Sequence, residues 1–378
     1  STETPTTSLL LKIPAGHYFL SKEKAGTVAL LASLLNESTT EHSAEEMSQA
    51  LQKLGSSISI SAGNQYLNVR VNTLTKHLDA TMALVYEKLT KPAFIESEFV
   101  RNQRNAVQAA INGKKDAGYL ASTAYRQLLH ADNIAATSVN GSEVSLENIT
   151  LNDVKRFYQQ QVKPANSQLI VVSDLAEKKV LNALSVVTPW QGKGEVLDLT
   201  LPMPTTKLGV IYLVNKDNAA QSAIRIGKRS MTQDITGEYY KSYLMNFPLG
   251  GAFNSRINLN LREEKGYTYG ARSYFSANKL TGSYTASAEV RADATDKSIV
   301  EFVNEINQYQ EKGITAEEIA FMRNAINQND ALKYETPRAK LGFLAQILEH
   351  DLSPTFVKTR AEIVDNITVD EINALAKK

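Results

Sequence analysis

Apolar and polar positions along this chain follow the two periods of regular secondary structure. Residues 43–55 begin with a Ser and a Glu three positions apart, continue with apolar residues at helical spacing and end on Gly, which predicts a capped helix. Residues 57–61 and 67–71 alternate as half-buried antiparallel strands do. Helical spacing returns over 78–89 and again from Ile95, so two amphipathic helices are expected after the hairpin.

The second half of the chain has the same order of patterns. It predicts strands over 270–277 and 283–291 and a helix from about 295 to 310. Thr315 and Glu318 then form the pair that caps another helix. Each half is therefore expected to be an α+β domain with a largely antiparallel sheet and helices packed on one face.

Two internal similarities at nearly the same offset indicate a duplication. Residues 95–107 resemble residues 314–326, with Arg-Asn-Ala at corresponding places, at an offset of 219 positions. Residues 148–154 resemble residues 366–372 at an offset of 218 positions, and both segments begin with Asn-Ile-Thr. The agreement predicts two similar domains, and the Thr of each Asn-Ile-Thr is expected to cap a helix.

The duplication also suggests domain boundaries. We expect a first domain over residues 1–187, a linker over 188–206 that contains Pro and Gly and lacks periodicity, and a second domain over 207–378. A buried strand near 169–174 follows the first Asn-Ile-Thr helix and has no counterpart after the second. A strand predicted over 208–214 has no counterpart in the first half. These mismatches predict a piece of a longer polypeptide with one strand missing at each end.

Composition and charge exclude several classes of function. With 43% hydrophobic and 21% charged residues the chain has an ordinary globular composition. Lys+Arg number 41 and Asp+Glu 40, so no net field attracts nucleic acid or an anionic membrane. Cysteine is absent, which removes disulfides, thiolate catalysis and Cys-ligated metals. The apolar stretches are too short for a membrane span.

Residues 249–269 contain the strongest chemical pattern. A Gly-Gly turn precedes a helix with apolar residues facing a core, Gly266 ends that helix, and a strand is expected to start near Tyr269. Arg262 lies in the last helical turn, where a cation complements the helix C-terminus, so alone it is typical of a capping or surface residue. Tyr269 alone is typical of a half-buried strand aromatic.

Taken together, these features resemble the non-catalytic C-terminal half of the pitrilysin/insulinase-type (inverzincin) zinc metallopeptidases, over essentially the whole chain. The resemblance rests on the duplicated domain order, on the Gly-Gly and Ser255-Arg-Ile run, and on Leu261-Arg-Glu-Glu-Lys-Gly with Tyr seven residues after the Arg. It implies the duplicated metallohydrolase-like fold of the insulinase type. It also implies that Arg262 and Tyr269 bind substrate, reaching across a closed chamber towards a zinc held by the other half. A forked guanidinium and a phenol suit that role.

The zinc signature of such enzymes is His-x-x-Glu-His on a helix. Here Ala29, Ala32 and Ser33 occupy the corresponding places, and no Glu occurs from position 99 to position 142, where the resemblance places the remaining ligand. The five histidines lie at least 25 positions apart, so they form no local metal-binding pair. We therefore expect no metal or other cofactor in this chain, and zinc in a partner half.

The sequence thus predicts the inactive half of a bipartite zinc peptidase, which is not an enzyme by itself. Its expected partners are a zinc-bearing catalytic half, in the same polypeptide or as a separate subunit, and an extended peptide substrate, with no nucleic acid and no membrane span. A structural or docking subunit without peptide handling is the alternative, and an independent enzyme of unrelated chemistry is a third possibility. The resemblance favours a periplasmic or cell-envelope location.

Overall fold

The computed structural model describes residues 5–201, 209–332 and 334–378, without the side chains of 329–332. The chain forms two compact units, each made of three segments. Unit 1 comprises Ser1–Asn112, Asn133–Leu199 and Tyr334–Leu348. Unit 2 comprises Gly113–Asp132, Thr200–Lys333 and Glu349–Lys378.

Unit 1 is built on a four-stranded antiparallel sheet with the order β2-β3-β1-β4. Leu9, Val69 and Val71 point to one face of this sheet and belong to the main core of the unit, together with Leu31 and Leu35 from a helix. The strands are β1 (Thr6–Ile13), β2 (Ser57–Ala62), β3 (Leu67–Leu74) and β4 (Gln168–Val172).

Helices cover both faces of this sheet. Most of them pack on the core face. The helix over Pro337–His350 packs on the opposite face, where its Leu341 contacts Leu10 and Ile170. The helices are α1 (Thr27–Asn36), α2 (Ala44–Leu54), α3 (Leu78–Thr90), α4 (Glu96–Gly113), α6 (Glu143–Glu147), α7 (Leu151–Gln161), α8 (Glu177–Leu184) and α13 (Pro337–His350).

Unit 2 has a three-stranded antiparallel sheet with the order β5-β7-β6. Its core contains Ile224, Ala286, Ala288 and Val290 from one face of the sheet. The strands are β5 (Gln221–Ser230), β6 (Thr268–Ala277) and β7 (Gly282–Arg291). The helices are α5 (Ala117–His130), α9 (Glu238–Asn246), α10 (Arg256–Asn258), α11 (Thr295–Lys312), α12 (Ala316–Leu332), α14 (Phe356–Asn366) and α15 (Val369–Ala376).

The two sheets share a strand order, as expected from the duplication. The order β2-β3-β1 of unit 1 recurs in unit 2 as β6-β7-β5. Both Asn-Ile-Thr segments begin helices as predicted, because Thr150 caps α7 and Thr368 caps α15 through complete capping boxes. The predicted α+β class and the largely antiparallel sheets are confirmed, but helices lie on both faces of each sheet and not on one face as predicted.

Each unit contains one helix that comes from the other half of the chain. The strand residues Arg225, Gly227 and Glu289 point away from the core of unit 2, and α5 from the first half of the chain packs on that face. In unit 1 the corresponding helix is α13, from the second half. The compact units therefore depart from the predicted ranges 1–187 and 207–378 at these two helices, because each sheet has a second face to cover. Part of the predicted linker, 202–206, lies outside the described residues.

The strand predicted over 208–214 is not formed within its described part. Residue 208 lies outside the described residues, and residues 210–216 form no strand, bridge or helix. Leu213 is 89% exposed and Ile211 is also exposed. A strand needs a neighbour that pairs with its backbone groups, and the described sheet of unit 2 ends at β5 and β6 without pairing to this segment.

In the described part of the chain, no helix is long and apolar enough to cross a membrane.

Candidate functional site

The segment that carries Arg262 is wound more widely than the single regular helix that the sequence predicts. The Gly-Gly pair lies in a π-helical turn, Phe247–Gly251, and α10 leads directly into a second one, Leu259–Glu264. Ile257 and Leu261 are fully buried, as expected from their spacing. The apolar spacing sets the buried face, but the hydrogen bond from Lys265 N–H to the Asn260 carbonyl at 3.0 Å closes a turn one residue longer than an α-helical one.

Arg262 lies at the end of this wide turn with an incompletely paired guanidinium. Its guanidinium carbon stacks 4.6 Å from the centre of the Phe253 ring, and its Nε lies 3.5 Å from a carboxylate oxygen of Glu263. Its side chain is 34% exposed, but its Nη1 is buried from solvent and has no hydrogen-bond partner among the described residues. The exposed part of this guanidinium can donate to a carbonyl or carboxylate of a ligand, whereas the buried Nη1 cannot be reached by a ligand in this conformation.

Tyr269 lies on a β-bulge at the start of β6. The pairing of β6 with β7 shifts between Thr268 and Ala271, which leaves Tyr269 and Gly270 outside the regular ladder. The Thr268 hydroxyl donates to the Glu289 carbonyl at 2.6 Å and accepts from Gly270 N–H at 3.1 Å, and so holds the bulge. Tyr269 is 92% exposed, so the sequence-based interpretation as a half-buried strand aromatic does not hold.

The segment between Arg262 and Tyr269, where the helical turn ends and the strand begins, is short and hydrogen-bonded. Gly266 adopts a φ of +63°, as expected for the residue that ends the helix. Tyr267 N–H then donates to the Leu261 carbonyl at 2.9 Å, and Arg291 N–H donates to the Tyr267 carbonyl at 3.0 Å. The chain therefore runs from the turn of Arg262 to the bulge of Tyr269 along a defined path.

The three positions that the resemblance assigns to the zinc signature lie in unit 1 on α1. Ala29 and Ala32 have no side-chain atom that can bind a metal, and the Ser33 hydroxyl donates to the carbonyl of Ala29 at 3.1 Å. Ala32 is buried, and its carbonyl accepts a hydrogen bond from Asn36 Nδ2 at 2.7 Å. These residues do not fit a zinc ion. Among the described residues, no group of three or more His, Cys, Asp or Glu could hold a metal.

Sequence reasoning missed two residues around the candidate site. Phe253 is 67% exposed and forms the stacking surface for Arg262. Asn258 is buried next to Ile257, and its amide bonds backbone groups on both sides of the site. A polar residue beside apolar residues on a buried helical face was the available signal, but the pattern does not reveal its partners.

The Arg of the Ser255-Arg-Ile run has a structural role. Arg256 forms a bidentate ion pair with Glu318, with N···O distances of 2.5 and 2.6 Å, and also donates to the Gly313 carbonyl at 2.9 Å. Burial alone raises the pKa of Glu318, but the hydrogen bonds from Arg256 and the Thr315 backbone bring that pKa below its ordinary value. Arg256 therefore anchors α10 against the start of α12.

Comparison with known proteins identifies two matching family models. The one described as "Peptidase M16 inactive domain" matches residues 148–326, and the one described as "Insulinase (Peptidase family M16)" matches residues 1–142. A Helicobacter pylori protein named "Non-peptidase homolog YmxG" is 24% identical over 374 residues, which make up 97% of this chain and 84% of the relative.

Two solved structures show the same fold. The peptidase M16 inactive domain from Pseudomonas fluorescens superimposes with a TM-score of 0.88 at 20% identity, over 99% of this chain and 90% of that one. The periplasmic protease PqqL from Escherichia coli gives a TM-score of 0.79 at 14% identity, over 99% of this chain and 41% of the PqqL chain.

Proposed function

From the premise that this chain belongs to peptidase family M16, the insulinase family, as a member that is not a peptidase by itself, we propose that it assists a zinc-bearing partner half in binding peptide substrate. The observation that supports this role is that a nearly fully exposed Tyr269 and a partly exposed Arg262 lie on the two sides of one hydrogen-bonded break. The two side chains offer donors to peptide carbonyls.

The chemistry of the pair suits an extended polypeptide. An extended peptide presents carbonyl oxygens that are not already paired, and a guanidinium and a phenol can donate to them. If these bonds are strongest when charge develops on a carbonyl oxygen, they accelerate cleavage more than they strengthen binding. The zinc and the water that it activates belong to the partner, since Ala29, Ala32 and Ser33 cannot hold the metal.

The architecture of a relative supports a two-half arrangement. This chain covers 41% of the PqqL protease, whose name places that protein in the periplasm. We therefore propose that the partner half is a second M16 half, in the same polypeptide or as a separate subunit, that the two halves close around the peptide, and that they act in the periplasm or cell envelope.

The decisive experiment combines this chain with its zinc-bearing partner half and follows cleavage of an unstructured fluorogenic peptide. We expect Arg262→Ala and Tyr269→Phe each to lower kcat by about ten- to thousandfold, because donors used in the transition state are lost. Arg156→Ala, which removes an exposed guanidinium of unit 1, serves as the control and is expected to leave turnover unchanged.

Two outcomes would contradict the proposal. Unchanged turnover in both site variants would favour the structural or docking subunit. Stoichiometric zinc and peptide hydrolysis by the purified chain alone would favour an independent enzyme. We expect neither, and metal analysis together with an assay of the isolated chain measures the second.

A further inference from the structure

Both candidate substrate-binding residues depend on backbone segments that meet at one buried side chain. Asn258, at the end of α10, is only 3% exposed. Its Nδ2 donates to the carbonyl of Phe253 at 2.7 Å, and its Oδ1 accepts from the backbone N–H of Ala271 at 2.9 Å. The first bond fixes the loop before the helix, and the second fixes the strand just after the bulge.

Each of these bonds leads to one residue of the site. Phe253 provides the ring on which the Arg262 guanidinium stacks. Ala271 is the first residue after the bulge whose pairing with β7 is regular, so its position determines where the bulge that exposes Tyr269 ends. Gly270, inside the bulge, also lies next to this amide, since a Cβ there would make an ordinary van der Waals contact with Asn258 Oδ1 at 3.9 Å.

We propose that Asn258 is a positioning residue. Its amide holds Phe253, on which Arg262 stacks, and it also holds the end of the bulge that carries Tyr269. One side chain thereby sets the orientation of both residues. This inference rests on the proposed function. A buried amide whose donor and acceptor are both used holds two segments in a fixed relation, and the loss of either bond leaves a buried backbone group unpaired. Asn258 itself does not contact the peptide.

The same unit contains a matched control. Asn246, at the end of α9, is equally buried and also bonds β6 through both ends of its amide. Its Nδ2 donates to the Ser273 carbonyl at 2.8 Å, and its Oδ1 accepts from the Ser273 hydroxyl at 2.5 Å. Asn246 therefore supports the same sheet, but it bonds neither the Phe253 loop nor the bulge.

The test compares Asn258→Leu with Asn246→Leu in the assembled enzyme and in the isolated chain. Both variants are expected to lower the melting temperature, because both leave backbone groups without partners. Only Asn258→Leu is expected to lower kcat, by about ten- to hundredfold with a smaller change in KM, since a misplaced donor costs more in the transition state. Only Asn258→Leu is expected to accelerate hydrogen exchange across 252–256 and 266–271.

A second variant keeps the test informative if Asn258→Leu does not fold. In Asn258→Asp the protonated carboxyl has the shape of the amide, accepting from Ala271 and donating to Phe253, whereas the carboxylate repels the Phe253 carbonyl. Burial raises the pKa of such a carboxyl. We therefore expect rapid exchange in both segments at pH 8 and wild-type protection, after correction for intrinsic rates, at pH 5.

The outcomes separate the two proposals. If Arg262→Ala and Tyr269→Phe leave turnover unchanged, the proposed function fails, and hydrogen exchange still decides the role of Asn258. If those two variants lose activity but Asn258→Leu behaves as Asn246→Leu does in kcat and in exchange, the positioning role is overturned.

Discussion

Glu87 is a buried carboxylate outside the candidate site, and it pairs with a histidine. It accepts hydrogen bonds from the Thr39 hydroxyl and from His42 Nδ1, the latter at 2.9 Å. The hydrogen bond with Glu87 raises the pKa of His42 above its ordinary value, although burial acts in the opposite direction. His42 is therefore a structural residue in this chain.

The raised pKa of His42 has a direction that can be tested. Protonated His42 stabilises the fold below the ordinary pKa of His, and this stabilisation is lost as the pH rises through the raised folded-state pKa. We expect His42→Gln to lower the free energy of unfolding at pH 6 and to have little effect at pH 9, as measured by urea denaturation. His77→Gln is the control, and a pH-independent difference for His42→Gln would contradict the assignment.

At the candidate site, sequence and structure contributed different residues. Arg262 and Tyr269 could be named because the spacing of their motif is visible in the chain, and they remain a prediction. Phe253 and Asn258 could not be named, since their roles depend on a stacking distance and on two hydrogen bonds to segments 5 and 13 residues away.

Helix starts are the elements that the sequence predicts best here, because a cap and its helix are adjacent in the chain. Thr150 with Asp153 and Thr368 with Glu371 form the same capping box at corresponding places of the repeat. The hydrogen bond from the Thr368 backbone is the largest cause that lowers the pKa of Glu371. Thr355 begins α14 without any side-chain cap.

This contrast between caps gives an element-scale prediction. We expect Thr368→Ala to lower the free energy of unfolding by about 1 kcal/mol, because one N-terminal N–H of α15 loses its acceptor. Thr355→Ala is expected to change it by less than about 0.5 kcal/mol, as exposed substitutions usually do. Chemical denaturation at neutral pH measures both, and equal losses would contradict the assigned cap.

Other elements could not be predicted from local pattern. The π-helical turns on either side of α10 bury the same apolar positions that a regular helix would bury, so periodicity does not distinguish them. The segment 208–214 has the composition of a strand, but its described part remains unpaired, because strand formation depends on a neighbour.

At the scale of the whole molecule, each unit is completed by a helix from the other half of the chain. In unit 2, Gly227 lies between the backbone of the neighbouring strand β7 and the helix α5, and it has no room for a side chain. A Cβ at this position would lie 2.0 Å from the Tyr284 carbonyl oxygen and 2.2 Å from the Tyr125 hydroxyl. The Tyr125 hydroxyl itself donates to the Tyr284 carbonyl at 2.9 Å.

Substitution of this glycine tests its close packing between β7 and α5. We expect Gly227→Ala to lower the free energy of unfolding by about 1–3 kcal/mol, because the added methyl group displaces either the sheet backbone or α5. Gly342→Ala on α13 is the control, since no atom lies within 4 Å of the new Cβ, and there we expect a gain of about 0.5–1 kcal/mol. A neutral Gly227→Ala variant, measured by thermal and urea unfolding, would contradict the close packing of Gly227 between β7 and α5.

The sequence by itself determined the features that depend on neighbours in the chain: the duplication, the antiparallel α+β class and the capping boxes. Only the tertiary structure decided which helix covers the second face of each sheet, that the segment after position 209 stays unpaired, and that Asn258 joins the two sides of the candidate site. The physical reason is that capping and periodicity act within a few residues, whereas packing and backbone pairing join segments that the sequence leaves far apart.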